Sequence, residues 1–206
     1  MDVKIKICGL FRQEDIEAVN EAQPDYIGFV FAKSRRQVSA DAAKLLKSKL
    51  SKEIKAVGVF VDPSEEEVIR LFDDGVIDLA QLHGKEDNSF VELLKKETGH
   101  KIIKAVKVEC TEDILTAQAI PADYLLLDHG TGGTGEAFDW NLVQGCRKPF
   151  FLAGGIDLNN LEQAIRTVRP YAVDLSSGAE TDGLKDRTKI IEIVRKTRRI
   201  QAETKI

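Results

Sequence analysis

Short apolar, β-branched runs alternate with segments of helical spacing along almost the whole chain. The apolar runs are Lys4–Cys8, Tyr26–Phe31, Ala56–Val61, Leu79–Leu82, Ile102–Val106, Tyr124–Leu127, Phe150–Ala153 and Ala172–Leu175. Runs of this length, bounded by turn signals, read as buried strands. The intervening segments place apolar residues at helical intervals over Glu14–Ala22, Ala40–Leu50, Val68–Phe72, Asn88–Glu97, Glu112–Ile120, Trp140–Gly145, Asn159–Val168 and Asp186–Arg199. Ser39 and Thr111 stand as N-caps, and Ser64 with Glu67 as a capping box.

That makes about eight strand–helix units with no composition break and no linker, which predicts one domain over residues 1–206. Strands that alternate with helices build a parallel sheet, so the class is α/β. Eight such units close a (β/α)8 (TIM) barrel. A doubly wound open sheet is the alternative, but it gathers its site at one switch point. Here residues with chemical potential follow several strands, which favours the barrel. With 206 residues against a typical ~250, connections must be short.

Bulk composition narrows the partners. The chain is 43% hydrophobic and 31% charged, with a net charge of −4 and no basic block that could track a phosphate backbone, so nucleic acid is not expected. No apolar run approaches the ~20 residues of a membrane span, and the N-terminus lacks a signal-peptide pattern. Cys8, Cys110 and Cys146 are far apart and odd in number, which argues against disulfides and zinc and predicts a reducing, cytoplasmic setting. No His/Asp/Glu set has metal-ligand spacing, so no metal is expected.

A barrel carries its site at the C-terminal ends of its strands. Those ends hold Cys8, the basic loop Lys33–Arg36, Asp62, Gln81-Leu82-His83-Gly84, Lys107, Asp128, Gly154-Gly155 and Asp174 with Ser176-Ser177-Gly178. Cys8 is either a buried structural thiol or, as a thiolate, a base or nucleophile. Asp128 is either a surface carboxylate or a general acid whose pKa burial raises. Cys8 and Asp128 are expected on opposite sides of the ring, where a base and an acid could act on two atoms of one substrate. Barrels frequently bind phosphate with the loops after strands seven and eight, which points to Gly154, Gly155, Ser177 and Gly178. Arg36 could grip a planar carboxylate bidentately or stand as a solvated loop charge, and one of Arg35 and Arg36 is expected to be only the latter. His83 is read as a wall or positioning residue. The glycines 130, 132, 133 and 135 after Asp128 suit a closing loop.

Together these segments resemble the phosphoribosylanthranilate isomerase family of tryptophan biosynthesis. They are Lys6-Ile7-Cys8-Gly9, Gly28–Phe31 with Ser34-Arg35-Arg36, Gly58–Val61, Gln81–Gly84, Leu127-Asp128 followed by Gly132–Gly135, Phe138–Trp140, Ala153–Gly155 and Val173–Gly178, in family order over nearly the whole chain. The resemblance implies a (β/α)8 barrel and an Amadori rearrangement of N-(5-phosphoribosyl)anthranilate, with no cofactor. It implies Cys8 as general base, Asp128 as general acid and Arg36 facing the anthranilate carboxylate. Phosphate contacts fall around Gly154-Gly155 and Ser177-Gly178, and Asp174 borders the site. With those partners in place, the loop of Gly132, Gly133 and Gly135 is expected to act as a lid. The expected partner is a small phosphorylated molecule, and the chain a monomer or homodimer. Two departures affect loop geometry only. The segment from Phe31 to Ser34 is one residue short and lacks a proline, and the span after Asp128 is compact. The alternatives are a histidine-pathway sugar-phosphate isomerase, which typically has an aspartate where Cys8 stands, indole-glycerol-phosphate synthase, whose lysine–glutamate set is missing, and a non-catalytic phosphate-binding barrel.

Overall fold

A computed structural model describes residues 2–128, 140–143 and 145–204. Eight parallel strands close into a barrel in chain order, β1 pairing with β8. They are β1 Lys4–Cys8, β2 Tyr26–Val30, β3 Lys55–Phe60, β4 Leu79–Leu82, β5 Lys101–Lys107, β6 Tyr124–Asp128, β7 Phe150–Leu152 and β8 Ala172–Leu175. The helices are α1 Gln13–Ala22, α2 Ala40–Ser48, α3 Glu65–Asp73, α4 Asn88–Thr98, α5 Thr111–Ala117, α6 Leu161–Val168 and α7 Arg187–Thr204. The expected strands are all present, within a residue at each end.

Caps explain where several helices begin. The Ser39 hydroxyl accepts from Ala42 N–H and the Ser64 hydroxyl from Glu67 N–H, each at 3.2 Å. The α5 cap is Cys110 rather than Thr111, because the Asp113 carboxylate accepts the Cys110 and Glu109 amides at 2.9 and 2.8 Å and so sets the turn one residue earlier. The segment from Trp140 forms a short 3-10 turn, Trp140–Val143, where a helix to Gly145 was expected.

Alternate strand residues face two different cores. Ile5, Ile7, Ile27, Phe29, Leu125, Leu127, Val173 and Leu175 pack outward under the helices. Tyr26, Val57, Leu79, Ile103, Leu126, Phe151 and Ala172 fill the lower barrel interior. At the N-terminal face, Asp25, Asp78 and Asp123 precede β2, β4 and β6. Each accepts a backbone amide of the preceding strand, from Ile5, Ala56 and Ile102 respectively, at 3.0, 2.6 and 3.1 Å. Each also meets a lysine, Lys4, Lys47 and Lys101. Residues at this face serve stability, which leaves the opposite mouth for chemistry.

Candidate functional site at the barrel mouth

The upper interior is polar where the lower interior is apolar. Register places Lys6 beside Asp174 and Cys8 beside Gly28. Lys6 has no exposed surface, and its ammonium donates to Asp174 Oδ2 at 2.9 Å. Its charge also acts on the Cys8 thiol, two residues on along the same face of β1. Cys8 is buried. Burial pushes its thiol above the ordinary value, the Lys6 charge pulls it back, and the Asp174 charge adds to the rise. Gly28 is the seat of the sulfur: a Cβ there would lie 2.6 Å from Cys8 Sγ.

The ring order of the mouth follows from the topology. Asp128 ends β6, Gly154-Gly155 follow β7, Ser177-Gly178 follow β8, Cys8 ends β1 and Arg36 lies beyond β2. Cys8 and Asp128 are therefore not diametrically opposed as expected. They stand three strands apart, with both glycine loops between them. Asp128 is partly exposed at the rim, its carbonyl accepting from the Val108 amide at 2.9 Å. The glycines of the expected lid, Gly132, Gly133 and Gly135, lie outside the described residues, as does Gly130.

The two glycine loops meet backbone to backbone. Gly178 belongs to a 3-10 turn, Ser177–Ala179, and a Cβ on it would stand 2.0 Å from the Ile156 carbonyl oxygen. Gly154 and Gly155 adopt φ of 82° and 63°, the left-handed region that glycine enters without strain. Asn160 Nδ2 donates to the Gly155 carbonyl at 2.8 Å, and the Asp157 amide donates to Asn160 Oδ1 at 3.0 Å, which braces that turn.

Arg36 does grip a carboxylate bidentately, and the carboxylate is the protein's own. Its Nε and Nη2 donate to the two Glu180 oxygens at 2.7 and 2.9 Å. Arg35 is the more solvated of the two arginines, and it too reaches Glu180, at 2.6 Å. Buried Lys185 adds a third cation at 2.5 Å. Glu180 opens β9 Glu180–Thr181, which pairs with β10 Leu184–Lys185, so this short hairpin beyond β8 carries both residues to the loop after β2. Gly9 lies beneath the guanidinium, where a Cβ would come within 2.4 Å of Arg36 Cδ. Arg36 uses one edge of its fork on Glu180, which leaves the outer edge geometrically suited to a second planar anion.

His83 is exposed at the mouth, its Nδ1 3.1 Å from Gln81 Nε2. It follows β4 at the same end of the barrel, and burial lowers its pKa while the Asp128 charge opposes that. The turn beside it is anchored from outside the barrel. Lys104 Nζ donates to the Gly84 carbonyl and to Glu86, both at 2.7 Å, and Asp62 Oδ1 accepts the Lys85 amide at 2.6 Å. Asp62, a strand-end carboxylate, is thus occupied in loop bracing. Lys6, Glu180 and Lys185 are the residues of the mouth that sequence reasoning missed.

A model of the family "N-(5'phosphoribosyl)anthranilate (PRA) isomerase" matches residues 5–196. N-(5'-phosphoribosyl)anthranilate isomerase of Endomicrobium trichonymphae is 46% identical over 196 residues, covering 93% of this chain and 96% of that protein. The crystal structure of phosphoribosyl anthranilate isomerase from Thermotoga maritima superposes with a TM-score of 0.87 at 33% identity, over 95% of this chain and 98% of that one. A structure of such an isomerase in complex with reduced 1-(o-carboxyphenylamino)-1-deoxyribulose 5-phosphate superposes with a TM-score of 0.85 at 32% identity, over 95% of this chain and 98% of that one. A match across nearly the full length of both sequence and barrel places this chain in the N-(5'-phosphoribosyl)anthranilate isomerase family.

Proposed function

We propose that this chain catalyses the Amadori rearrangement of N-(5-phosphoribosyl)anthranilate to 1-(2-carboxyphenylamino)-1-deoxyribulose 5-phosphate in the cytoplasm, with Cys8 as general base and Asp128 as general acid. Family membership supports the reaction. The observation that carries the residue roles is the order of groups round the mouth: carboxylate, double glycine loop, thiol, arginine, on β6, β7–β8, β1 and β2. A substrate with its phosphate in the Gly154-Gly155 and Ser177-Gly178 loops has a carboxylic acid on one side of its sugar and a thiol on the other. Its anthranilate carboxylate then reaches the outer edge of Arg36. Asp174 and His83 line the space between.

The chemistry follows from those positions. Protonated Asp128 gives its proton to the ring oxygen, and the C1–O bond breaks as the nitrogen lone pair forms the iminium. That cation makes the C2 hydrogen acidic, and the Cys8 thiolate removes it. The electron pair of the C–H bond moves into C1–C2, neutralising the iminium as an enol-amine, which tautomerises to the ketone. General acid–base help of this kind contributes on the order of 10²–10⁴-fold for each group. The histidine-pathway and non-catalytic alternatives are not favoured by the family match.

The test is turnover of freshly prepared phosphoribosylanthranilate, followed by loss of its fluorescence. Cys8→Ala and Asp128→Asn are each expected to abolish measurable turnover while the fold and product binding survive. A rate near that of the unaltered protein in either variant would overturn the assignment of that residue.

A further inference from the structure

The proposed reaction needs a thiolate at Cys8, in a place where burial opposes one. Two residues earlier on the same face of β1 lies a group with no part in the steps above. Lys6 is wholly buried and its ammonium is paired with a carboxylate. Asp174 Oδ2 accepts from it at 2.9 Å, and strand register sets Cys8 two residues further along the same interior face, where the Lys6 charge acts on the thiol. A buried ammonium is costly unless it is paired. Asp174 supplies one charge, yet its second oxygen, Oδ1, is buried without a hydrogen-bond partner among the described residues. The pair therefore lacks the full set of hydrogen bonds that a purely structural buried ion pair requires.

We propose that Lys6 is a positioning residue for the reaction, acting through Cys8 as the buried countercharge of its thiolate, and that Asp174 competes with the sulfur for that charge. The proposal rests on the reading of Cys8 as the base. It also explains why a lysine is placed here. In the thiolate state Lys6 balances two anions. When Cys8 takes the C2 proton, the ammonium is left with Asp174 alone, a neutral pair, so burial no longer holds a surplus negative charge.

The other groups facing the thiol do not substitute for Lys6. Lys185 of β10 and Arg36 beyond β2 both act on Cys8, but both spend hydrogen bonds on Glu180. Asp174 of β8 acts with the opposite sign. Lys6 is the cation whose charge acts most strongly on the thiol, from the same face of the same strand.

The experiment is alkylation of the folded, substrate-free protein by iodoacetamide as a function of pH. Cys110→Ser and Cys146→Ser leave one thiol. Lys6→Met is expected to move the midpoint of the rate profile up by about one unit or more, the effect of removing an adjacent opposite charge. Asp174→Asn is expected to move it down. An unchanged midpoint in Lys6→Met, or shifts of the same sign in the two variants, overturns the proposal, because a packing role predicts no such opposition. If Lys6→Met does not fold, Lys6→Met with Asp174→Asn removes both charges, and a midpoint at or below that of the parent protein is the overturning result. The readout needs no substrate. Residual turnover in Cys8→Ala would therefore refute the base assignment without touching the coupling between Lys6 and the thiol.

Discussion

Replacing Glu180 by glutamine removes the charge on which Arg35, Arg36 and Lys185 converge. Burial alone would push this carboxyl up. The hydrogen bonds and charges of Arg36 and Lys185 overcome that and hold it at about 2, against an ordinary 4.5. The group is nearly inaccessible, so little of this is lost to solvent screening. At 1.36 kcal/mol per unit, ionised Glu180 contributes on the order of 3 kcal/mol near neutral pH. The folded-state value is depressed, so this contribution is complete above the unfolded value and declines as pH falls towards the folded one. By about pH 3 roughly half of it remains, so urea denaturation should separate Glu180→Gln from the parent by about 3 kcal/mol at neutral pH and by about 1 to 2 kcal/mol at pH 3. The substitution also leaves the buried Lys185 ammonium, whose own pKa burial lowers, facing a neutral amide. Steady-state kinetics give a second reading. Arg36 loses the carboxylate that fixes its fork, so KM should rise by about tenfold or more while kcat changes less, the pattern of lost binding rather than lost chemistry. A destabilisation below about 1 kcal/mol at neutral pH, or one that does not shrink at pH 3, would refute the account of Glu180 as a charge held by three cations.

Other substitutions separate chemistry, binding and stability. Gly28→Ala puts a Cβ 2.6 Å from Cys8 Sγ and 3.2 Å from Cys8 Cα, so the thiol must move. We expect kcat to fall at least tenfold at a stability loss of about 1–3 kcal/mol, measured by turnover and urea denaturation. Gly178→Ala must part the Ile156 carbonyl from its neighbour by more than about an ångström, since ordinary contact begins near 3.4 Å rather than 2.0 Å. It should raise KM about tenfold or more, and an unaltered KM would exclude this loop from phosphate binding. Asp78→Ala removes the acceptor of the Ala56 amide and the partner of Lys47 at the opposite face. It should cost about 1–3 kcal/mol in denaturation while kcat stays within twofold.

The sequence by itself determined the barrel and the membership of its mouth. Eight apolar runs, each short and each followed by a helical segment, call for a parallel sheet, and the chemical residues that follow several of them favour its closed form over an open one. Once the strands are ordered, the residues that end them must share one face. Cys8, His83, Asp128, Gly154, Gly178 and Asp174 were legible for that reason. Tertiary structure alone decided which way polar residues within the strands point and what they meet. In Lys4-Ile5-Lys6-Ile7 the alternation reads as isoleucine to the core and lysine to solvent. In a closed barrel the outer face is covered by helices and takes the isoleucines, so the inner face receives Lys6 and seals it against Asp174. Glu180 was hidden for a different reason. It stands 144 positions from Arg36, and only closure of β8 onto β1, with β2 alongside, brings the hairpin that follows β8 to the loop that follows β2. Local patterning records which face of a strand is apolar, but the identity of an ion pair between distant segments depends on how the sheet closes.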